Sequence, residues 1–452
     1  MPDNVPPQSG DSRRDLRGSY GPARQHVLTS LFGIDGLHTL SVYREHGGYS
    51  SLRKALFDMA PEEITAEVKT SGLRGRGGAG FPTGTKWGFI PKGVPGPKYV
   101  VVNGDEAEPG TTKDRYIMEN SPHMLLEGIL IACYAIGAHQ GWIYLRGEYD
   151  RPYEMLMTAI GELRDEGILG ARPLDSDYPL DIQIYRGHGA YICGEETALL
   201  ESLEGKRAQP RSRPPFPAVK GAWGRPTLIN NVETLSNVPW IVANGGAEYA
   251  KFGLGSSKGT RLVSVSGNVQ NPGVFEIELG ISFREVIMEM AGGPPPGRRV
   301  KAFWPGGCSA PVLPEWGLDV STDLDEVARA GSMAGSGGVI VMDDSHCMVR
   351  AARRLLQFYA HESCGKCTPC RVGGNWALRT YDRVLEGRGS QVELGLFDAI
   401  QESLQNGRCL CALGDSAGFV IASTMKHFRG EYEEHCLEHR CSVEEPVVAA
   451  SA

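Results

Sequence analysis

GLRGRGGAGFPTGTKWGF, residues Gly72–Phe89, decides how the rest of this chain is read. Seven of its eighteen residues are glycine, three are cationic (Arg74, Arg76, Lys86), and Phe81, Pro82, Trp87 and Phe89 are interleaved with them. So much glycine gives up side-chain packing and costs backbone entropy on ordering. A chain tolerates that where backbone must approach something closely. Free N–H groups with Arg and Lys suit phosphate, and aromatic faces suit a ring. Within the stretch, Gly75, Gly77 and Gly80 match GxGxxG. The dinucleotide fingerprint needs a strand before it and a helix after it. Here Pro61–Ser71 (PEEITAEVKTS) reads as a helix, and the nearest strand, Tyr99–Val102, follows instead. The spacing therefore excludes an ordinary Rossmann unit and leaves a nucleotide cradle made by Gly75, Arg76, Gly77, Gly78 and Gly80.

Outward from that loop the pattern alternates. Strands are expected at Tyr99–Asn103, Gly141–Leu145 and Leu180–Tyr185, and helices at Pro122–Ile136, Arg151–Glu166 and Glu195–Leu203. Strands separated by helical stretches predict an open, largely parallel α/β sheet. Residues 247–335 read as a small β-grasp-like region, with strands Arg261–Val269, Gly273–Leu279 and Val300–Phe303 and a helix at Ser282–Ala291. From about Gly338 the pattern turns helical, over Cys347–His361, Asn375–Leu385, Val392–Leu404 and Ala417–Phe428, which predicts a four-helix bundle. The divisions are 1–49 (tail and leading segment), 50–246, 247–335, 336–440 and 441–452 (tail).

With 452 residues about three domains are expected. A net charge of −8 argues against a nucleic-acid surface. The polar start reads as no signal peptide. The longest apolar run, Met124–Ala138, holds Glu127 and is too short to cross a bilayer. Eleven cysteines without an export signal point to metal or redox chemistry rather than disulfides.

Three thiols in Glu362-Ser-Cys364-Gly-Lys-Cys367-Thr-Pro-Cys370 have the C-x2-C-x2-C spacing that wraps three corners of a [4Fe–4S] cubane. A zinc site would more often pair two-cysteine knuckles. Cys409 and Cys411 are the candidates for the fourth thiolate, and in an extended stretch they point to opposite sides. Cys308 reads as a packed thiol, Cys193 as a small buried thiol, and Cys436 and Cys441, in a charged stretch near His435 and His439, as exposed or incidental thiols rather than a second metal site. Beyond strand Tyr99–Val102, Asn103, Asp105, Glu106 and Glu108 offer acceptors for ribityl or ribose hydroxyls, where open α/β sheets bind ligands. Gly187–Thr197 runs glycines into a helix start, Arg213–Pro217 is a rigid aromatic segment, and Ile229–Thr234 carries paired amides.

In this order, GLRGRGGAGFPTGTKW, NGDEAEPGTTKDR, SPHMLLEG, AYICGEETALLESLEG, PPFPA, INNVET, ESCGKCTPCR and CALGD closely resemble the NADH-binding, FMN-carrying subunits of respiratory NADH:quinone oxidoreductase (complex I), over roughly residues 50–430. The resemblance implies an α/β flavin domain of non-standard Rossmann-like type, a ubiquitin-like middle domain and a helical bundle holding the cluster. It implies that Gly75, Arg76, Gly77 and Lys86 meet FMN and its phosphate, with Gly78 and Gly80 in the same cradle. Asn103, Asp105, Glu106, Tyr191, Gly194, Glu195, Asn230, Asn231 and Thr234 would serve the flavin, and Phe81, Phe89, Glu108, Glu196 and Phe216 would meet NADH. This chain has Arg213 where the family often has lysine. Cys364, Cys367 and Cys370 match the cluster ligands, and the Cys-x-Leu-Gly-Asp pattern selects Cys411 as the fourth. No catalytic acid or base is implied, because hydride and electron transfer belong to the cofactors. Also implied are a thioredoxin-like [2Fe–2S] partner, a multi-cluster iron–sulfur partner, and a place in the peripheral arm on the cytoplasmic face of the membrane, held there only through the complex. Similar motifs occur in diaphorase subunits of soluble NAD-linked hydrogenases and formate dehydrogenases. A non-catalytic scaffold that lost its flavin is the third reading, and the intact Gly75–Gly80 loop, Lys86 and Glu195–Glu196 count against it.

Overall fold

The computed structural model describes residues 26–443, so the tail expected over 1–24, and most of that over 441–452, lies outside the described residues. Strands β1 (Tyr99–Gly104), β2 (Gln140–Leu145), β3 (Asp181–Arg186) and β4 (Thr227–Asn231) form one sheet in the order β3-β2-β1-β4, and every pairing is parallel. Val100, Val101 and Val102 are wholly buried, as befits a parallel strand covered on both faces. The helices of this region are α1 (Leu40–Glu45), α2 (Ser50–Asp58), α3 (Pro61–Thr70), α4 (Thr83–Gly88), α5 (Lys113–Asn120), α6 (Pro122–Ile136), α7 (Asp150–Asp165), α8 (Glu196–Leu203), α9 (Pro217–Lys220), α10 (Val232–Ser236), α11 (Val238–Asn244) and α12 (Gly246–Tyr249). Helix α6 starts on Pro122, stops at the left-handed Gly137, and buries every residue except Met124 and Tyr134. A helix apolar all round belongs inside. Its one carboxylate, Glu127, is satisfied by the Tyr43 hydroxyl (2.7 Å) and the Leu52 N–H (3.0 Å).

A second sheet holds β5 (Thr260–Gly267), β6 (Gly273–Glu278), β7 (Val300–Trp304), β8 (Leu313–Pro314) and β9 (Gly338–Asp343), in the order β6-β5-β9-β7-β8. Only β5 and β9 pair in parallel; the other pairs are antiparallel. The helix expected at Ser282–Ala291 is a shorter, wide turn at Glu285–Met290, and α13 (Leu324–Arg329) starts on the Asp323 side chain. Strand β9 lies beyond residue 335, so the second sheet runs past the boundary read from sequence. Its β-branched residues complete the sheet before the C-terminal helices begin at Met348.

Five helices follow: α14 (Met348–Glu362), α15 (Gly374–Leu385), α16 (Gln391–Leu404), α17 (Ala412–His427) and α18 (Arg429–Glu433). Both α14 and α16 pack on α15 and α17. Helix α14 buries Met348, Val349, Ala352, Leu356 and Tyr359, a 3–4 residue spacing that fixes one inward face. No helix among the described residues is long and apolar enough to cross a membrane.

One carboxylate ties the start of the described chain to the second sheet. Glu276, fully buried on β6, accepts N–H bonds from Val27 (2.8 Å), Leu28 (3.0 Å) and Thr29 (2.8 Å), and hydroxyl bonds from Thr29 (2.6 Å) and Thr260 (2.5 Å). Burial alone would raise its pKa, but these bonds and His26 outweigh that and hold it below the ordinary value.

Candidate functional site

The order β3-β2-β1-β4 reverses direction between β1 and β4, which is where an open parallel sheet leaves a crevice beyond its carboxyl ends. The Gly72–Phe89 stretch lies there. It is pinned from within: the Gly75 N–H donates to Phe81 O (2.9 Å), the Arg76 N–H to Thr234 Oγ1 (2.9 Å), and Trp87 Nε1 to Asn230 Oδ1 (2.9 Å). Close approach of neighbours bears on Gly77 and Gly84. A Cβ on Gly77 would stand 3.0 Å from Asn231 Cβ, and one on Gly84 would stand 2.5 Å from the Lys69 backbone, where α4 lies on α3.

Several residues expected to touch the flavin also hydrogen-bond within the protein. Thr234 and Asn230 are buried and bonded as above. Asn231 receives the Lys113 ammonium (3.2 Å) and the Glu233 N–H (3.0 Å) on Oδ1, and its Nδ2 donates to Asp114 (2.6 Å). The Arg76 side chain is 1 % exposed and turns away to the carbonyls of Lys258 (2.9 Å) and Thr260 (3.0 Å), which ties the loop to β5. Glu106 is likewise buried and bonded. Its carboxylate accepts the N–H groups of Asp114 (2.8 Å) and Arg115 (3.0 Å) at the start of α5 and the Tyr149 hydroxyl (2.8 Å). Burial, with Asp114 beside it, pushes its pKa up to about 7. Sequence reading passes over Lys113, which is buried against Asp114 (2.7 Å) and Glu233 (2.7 Å); burial opposes its charge, and those carboxylates with Glu106 outweigh it. Its one sequence signal is a lysine next to an aspartate, indistinguishable from a solvated pair.

Other expected residues stand at the same crevice. Asp105 Oδ2 reaches neither solvent nor any protein donor among the described residues. Its pKa is pushed up to about 8, chiefly by burial, with Arg146 lowering it and Glu148 and Glu362 raising it. The Asn103 amide donates to Gly194 O (2.8 Å), and a Cβ on Gly194 would stand 3.8 Å from Asp105 Oδ2. An orphaned buried carboxylate oxygen beside glycine backbone fits a hydroxyl- or N–H-bearing ligand such as a flavin. At the rim, Lys86 pairs with Glu196 (3.1 Å), and Arg213 spans Glu196 (3.0 Å) and Glu195 (3.1 Å). Glu195 also caps α8 through the N–H groups of Thr197 (3.0 Å) and Ala198 (2.9 Å). Phe81, Phe89 and Phe216 are 46, 56 and 56 % exposed, and Phe81 and Phe89 lie 6.0 Å apart centre to centre. Exposed rings beside a crevice offer flat faces to a ring-bearing ligand.

Glu108 is where the regions meet. Tyr191 Oη donates to it at 2.6 Å and the Ser309 N–H at 2.7 Å, while burial raises its pKa against those bonds. The Tyr191 N–H donates to Glu362 (3.1 Å), the last residue of α14, and its ring stacks edge-on against Phe358 (5.1 Å). Beyond Glu362 comes the Cys364–Cys370 loop. Cys364 O accepts from Gln209 (3.2 Å), Lys366 donates to Pro210 O (2.6 Å), and Ser363 Oγ lies 3.2 Å from Cys370 Sγ. Cys409 interacts with Cys367 and Cys370, and Cys411 with Cys370 and Cys364, so five thiols converge. Cys409 is packed beneath α17, where a Cβ on Gly414 would collide with its sulfur at 2.2 Å; Cys411 is half-buried. A thiol-lined pocket at the end of a helix suits a cluster. Cys193 and Cys308 are buried as expected, Cys308 lying 3.1 Å from Tyr359 Oη. Cys436 is corrected: it is fully buried, and Cys441 is half-buried against the same core.

Residues 68–240 match the Nuo51 FMN-binding domain, 262–313 the SLBB domain, and 350–435 the NADH-ubiquinone oxidoreductase-F iron-sulfur binding region. The chain is 52 % identical to one of the NADH-quinone oxidoreductase F subunits of Rhizobium meliloti, that numbered 2, over 92 % of this chain and 98 % of that one. It is 49 % identical to the NADH-quinone oxidoreductase F subunit of Streptomyces coelicolor, over 92 % of each. Among solved structures it is similar to a chain of an NAD+-reducing [NiFe]-hydrogenase in the H2-reduced state, with a TM-score of 0.77 at 36 % identity, covering 84 % of this chain and 63 % of that longer one.

Proposed function

The chain belongs to the family of NADH-quinone oxidoreductase F subunits, and on that premise we propose that it takes electrons from NADH and delivers them toward quinone through its partners. When bound, FMN supplies the hydride-accepting ring and a [4Fe–4S] cluster the one-electron exit. The observation that carries the reading is Tyr191: one residue joins the acidic loop of the crevice, through Glu108, to the helix that ends at the cysteine loop, through Glu362.

The protein's work is positioning. Backbone of Gly75, Gly77, Gly78 and Gly80 would lie against the flavin and its phosphate. Lys86 and Arg213 would supply positive charge there, each balanced by Glu196 at the rim. Asp105, Asn103 and Gly194 would hold the polar side of the flavin, with Glu195 fixed behind them. Phe81, Phe89 and Phe216 would cover the nicotinamide nucleotide, and Glu108 and Glu196 would accept its hydrogen bonds. Arg76, Asn230 and Thr234 would serve the flavin while pinning the loop, and Glu106 and Asn231 would serve it while bonding the start of α5. Cys364, Cys367, Cys370 and Cys411 would hold the cluster, supported by the packing of Cys409 under α17. The middle region is read as a ubiquitin-like β-grasp, supported by hairpin β5–β6 and the parallel β5–β9 pair, and the four helices around the cysteines as a bundle. Other subunits of the peripheral arm, a thioredoxin-like [2Fe–2S] protein and a multi-cluster protein among them, would receive the electrons and hold this chain at the cytoplasmic side of the membrane.

The anaerobically purified chain should reduce ferricyanide with NADH and contain one FMN and about four irons. Flavin-free protein carrying zinc in place of iron refutes the reading. The likeness to the hydrogenase favours one competitor, a diaphorase of a soluble NAD-linked enzyme. Co-purification with membrane rather than with hydrogenase subunits decides between them.

A further inference from the structure

At the far end of α14 from the cysteine loop, three groups that the electron path does not use come together. Cys347 sits at the N-cap of α14, His435 follows α18, and Cys441 follows His435 by six residues. Their ligand atoms all lie within 4.8 Å of one another, and Cys347 Sγ is 3.2 Å from His435 Nε2. Cys347 and His435 are 4 and 5 % exposed. Fifteen helical residues separate this triad from the Cys364 loop, about 22 Å of helix at the standard rise. The two thiol sites are therefore independent.

We infer that Cys347, His435 and Cys441 form a zinc site that fastens the C-terminal segment to the start of α14. Two thiolates and an imidazole are a zinc donor set, and the tetrahedral ion places its ligand atoms within the spread found here. The charged neighbours of the triad are of both signs, with Lys301 and Arg440 paired to Glu431 and Glu434. Arg350 is the cation felt by His435, against Glu431 and Glu434. The backbone geometry is already fixed independently of metal. Glu431 accepts the Met348 N–H (2.7 Å) and the Lys301 ammonium (2.7 Å), which docks α18 on the helix start and brings His435 to Cys347. On binding, Cys347 and Cys441 each release a thiol proton, His435 gives the lone pair of Nε2, and the half-buried side at Cys441 leaves the fourth corner to water. The neighbouring Cys436 is buried and stands outside the triad.

The test is metal content of the FMN- and iron-loaded chain, purified anaerobically from zinc-supplied cells and dialysed. About one zinc per chain is expected in addition to the irons, and cobalt substitution should give the absorption bands of a tetrahedral thiolate site. Cys441→Ser, a change at a half-buried position, should cut zinc about tenfold and leave iron unchanged. Cys347→Ser should do the same, and Cys436→Ser should keep the zinc. Zinc absent from the wild-type chain, zinc retained by Cys441→Ser, or a Cys347–Cys441 disulfide found by mass spectrometry would overturn the assignment. Zinc lost by Cys347→Ser and Cys441→Ser reports on this triad and not on the cluster reading, because the Cys364 loop lies at the other end of α14.

Discussion

Tyr191→Phe isolates one hydroxyl, because its ring contact with Phe358 survives the change. The hydroxyl gives Glu108 Oε2 its 2.6 Å donor, while Oε1 keeps the Ser309 N–H at 2.7 Å. Losing a hydrogen bond to a buried carboxylate costs about 1.5–3 kcal/mol. If Glu108 must be held in place to receive NADH, the same energy appears as a drop of about 10- to 150-fold in kcat/KM for NADH:ferricyanide turnover. It should also lower the melting midpoint by several degrees, on the scale of about 2–4 °C per kcal/mol. A cycle with Glu108→Gln separates the pair from its surroundings. The double variant should fall short of the summed single effects by about 1.5–3 kcal/mol. Single effects that add within about 0.5 kcal/mol would refute the claim that this hydroxyl holds Glu108.

Other outcomes follow from the same geometry. Cys411→Ser should abolish the cluster, read as iron content and its reduced-state EPR signal, while Cys409→Ser should keep it; the reverse result would make Cys409 the ligand. Asp105 has a folded pKa of about 8, raised above its unfolded value near 3.8. The folded flavin-free protein therefore holds a proton that the unfolded chain has lost, and stability falls as pH rises from about 4 to 8, by at most about 1.4 kcal/mol per unit. Melting midpoints of flavin-free Asp105→Asn should decline less over that range, and parallel curves would count against an orphaned carboxyl. Glu276 is the opposite case. Its folded pKa is lowered, so its contribution is complete above about pH 4.5 and is lost as pH falls through the folded value. Glu276→Gln should cost a few kcal/mol at neutral pH and flatten the acid limb of a stability curve.

Element types in the first region are legible because their signals are local. Alternation, proline at Pro61 and Pro122, and the stop at Gly137 mark helices and strands within a few residues. Strand β4 is not among the expected strands, since Asn230 and Asn231 disguise a strand whose partner β1 lies well over a hundred residues earlier. The second sheet's last strand escapes because β9 leads within a few residues into an amphipathic helix, whose stronger pattern dominates the region. Among site residues, motif spacing shows which polar side chains stand near the crevice but not which way they face. Glu106 and Thr234 look like ligands in sequence, and the fold adds partners that spacing does not show: the α5 N–H groups and the Tyr149 hydroxyl for Glu106, and the Arg76 N–H for Thr234. The surrounding charges make Cys436 look exposed, whereas folding packs it beneath the helices. Cys347 and His435 stand 88 residues apart, a separation no local spacing rule links.

The Glu276 clamp also sets an order of events during synthesis. Val27–Thr29 leaves the ribosome nearly 250 residues before the carboxylate that receives its N–H groups. At about 5–20 residues per second, Val27 and Leu28 wait roughly ten to fifty seconds without their final partner. The first parallel sheet can be complete in that interval, since β4 ends at Asn231. The earliest described segment of the chain is thus among the last to dock, and it closes over the second sheet as a seal on work already done.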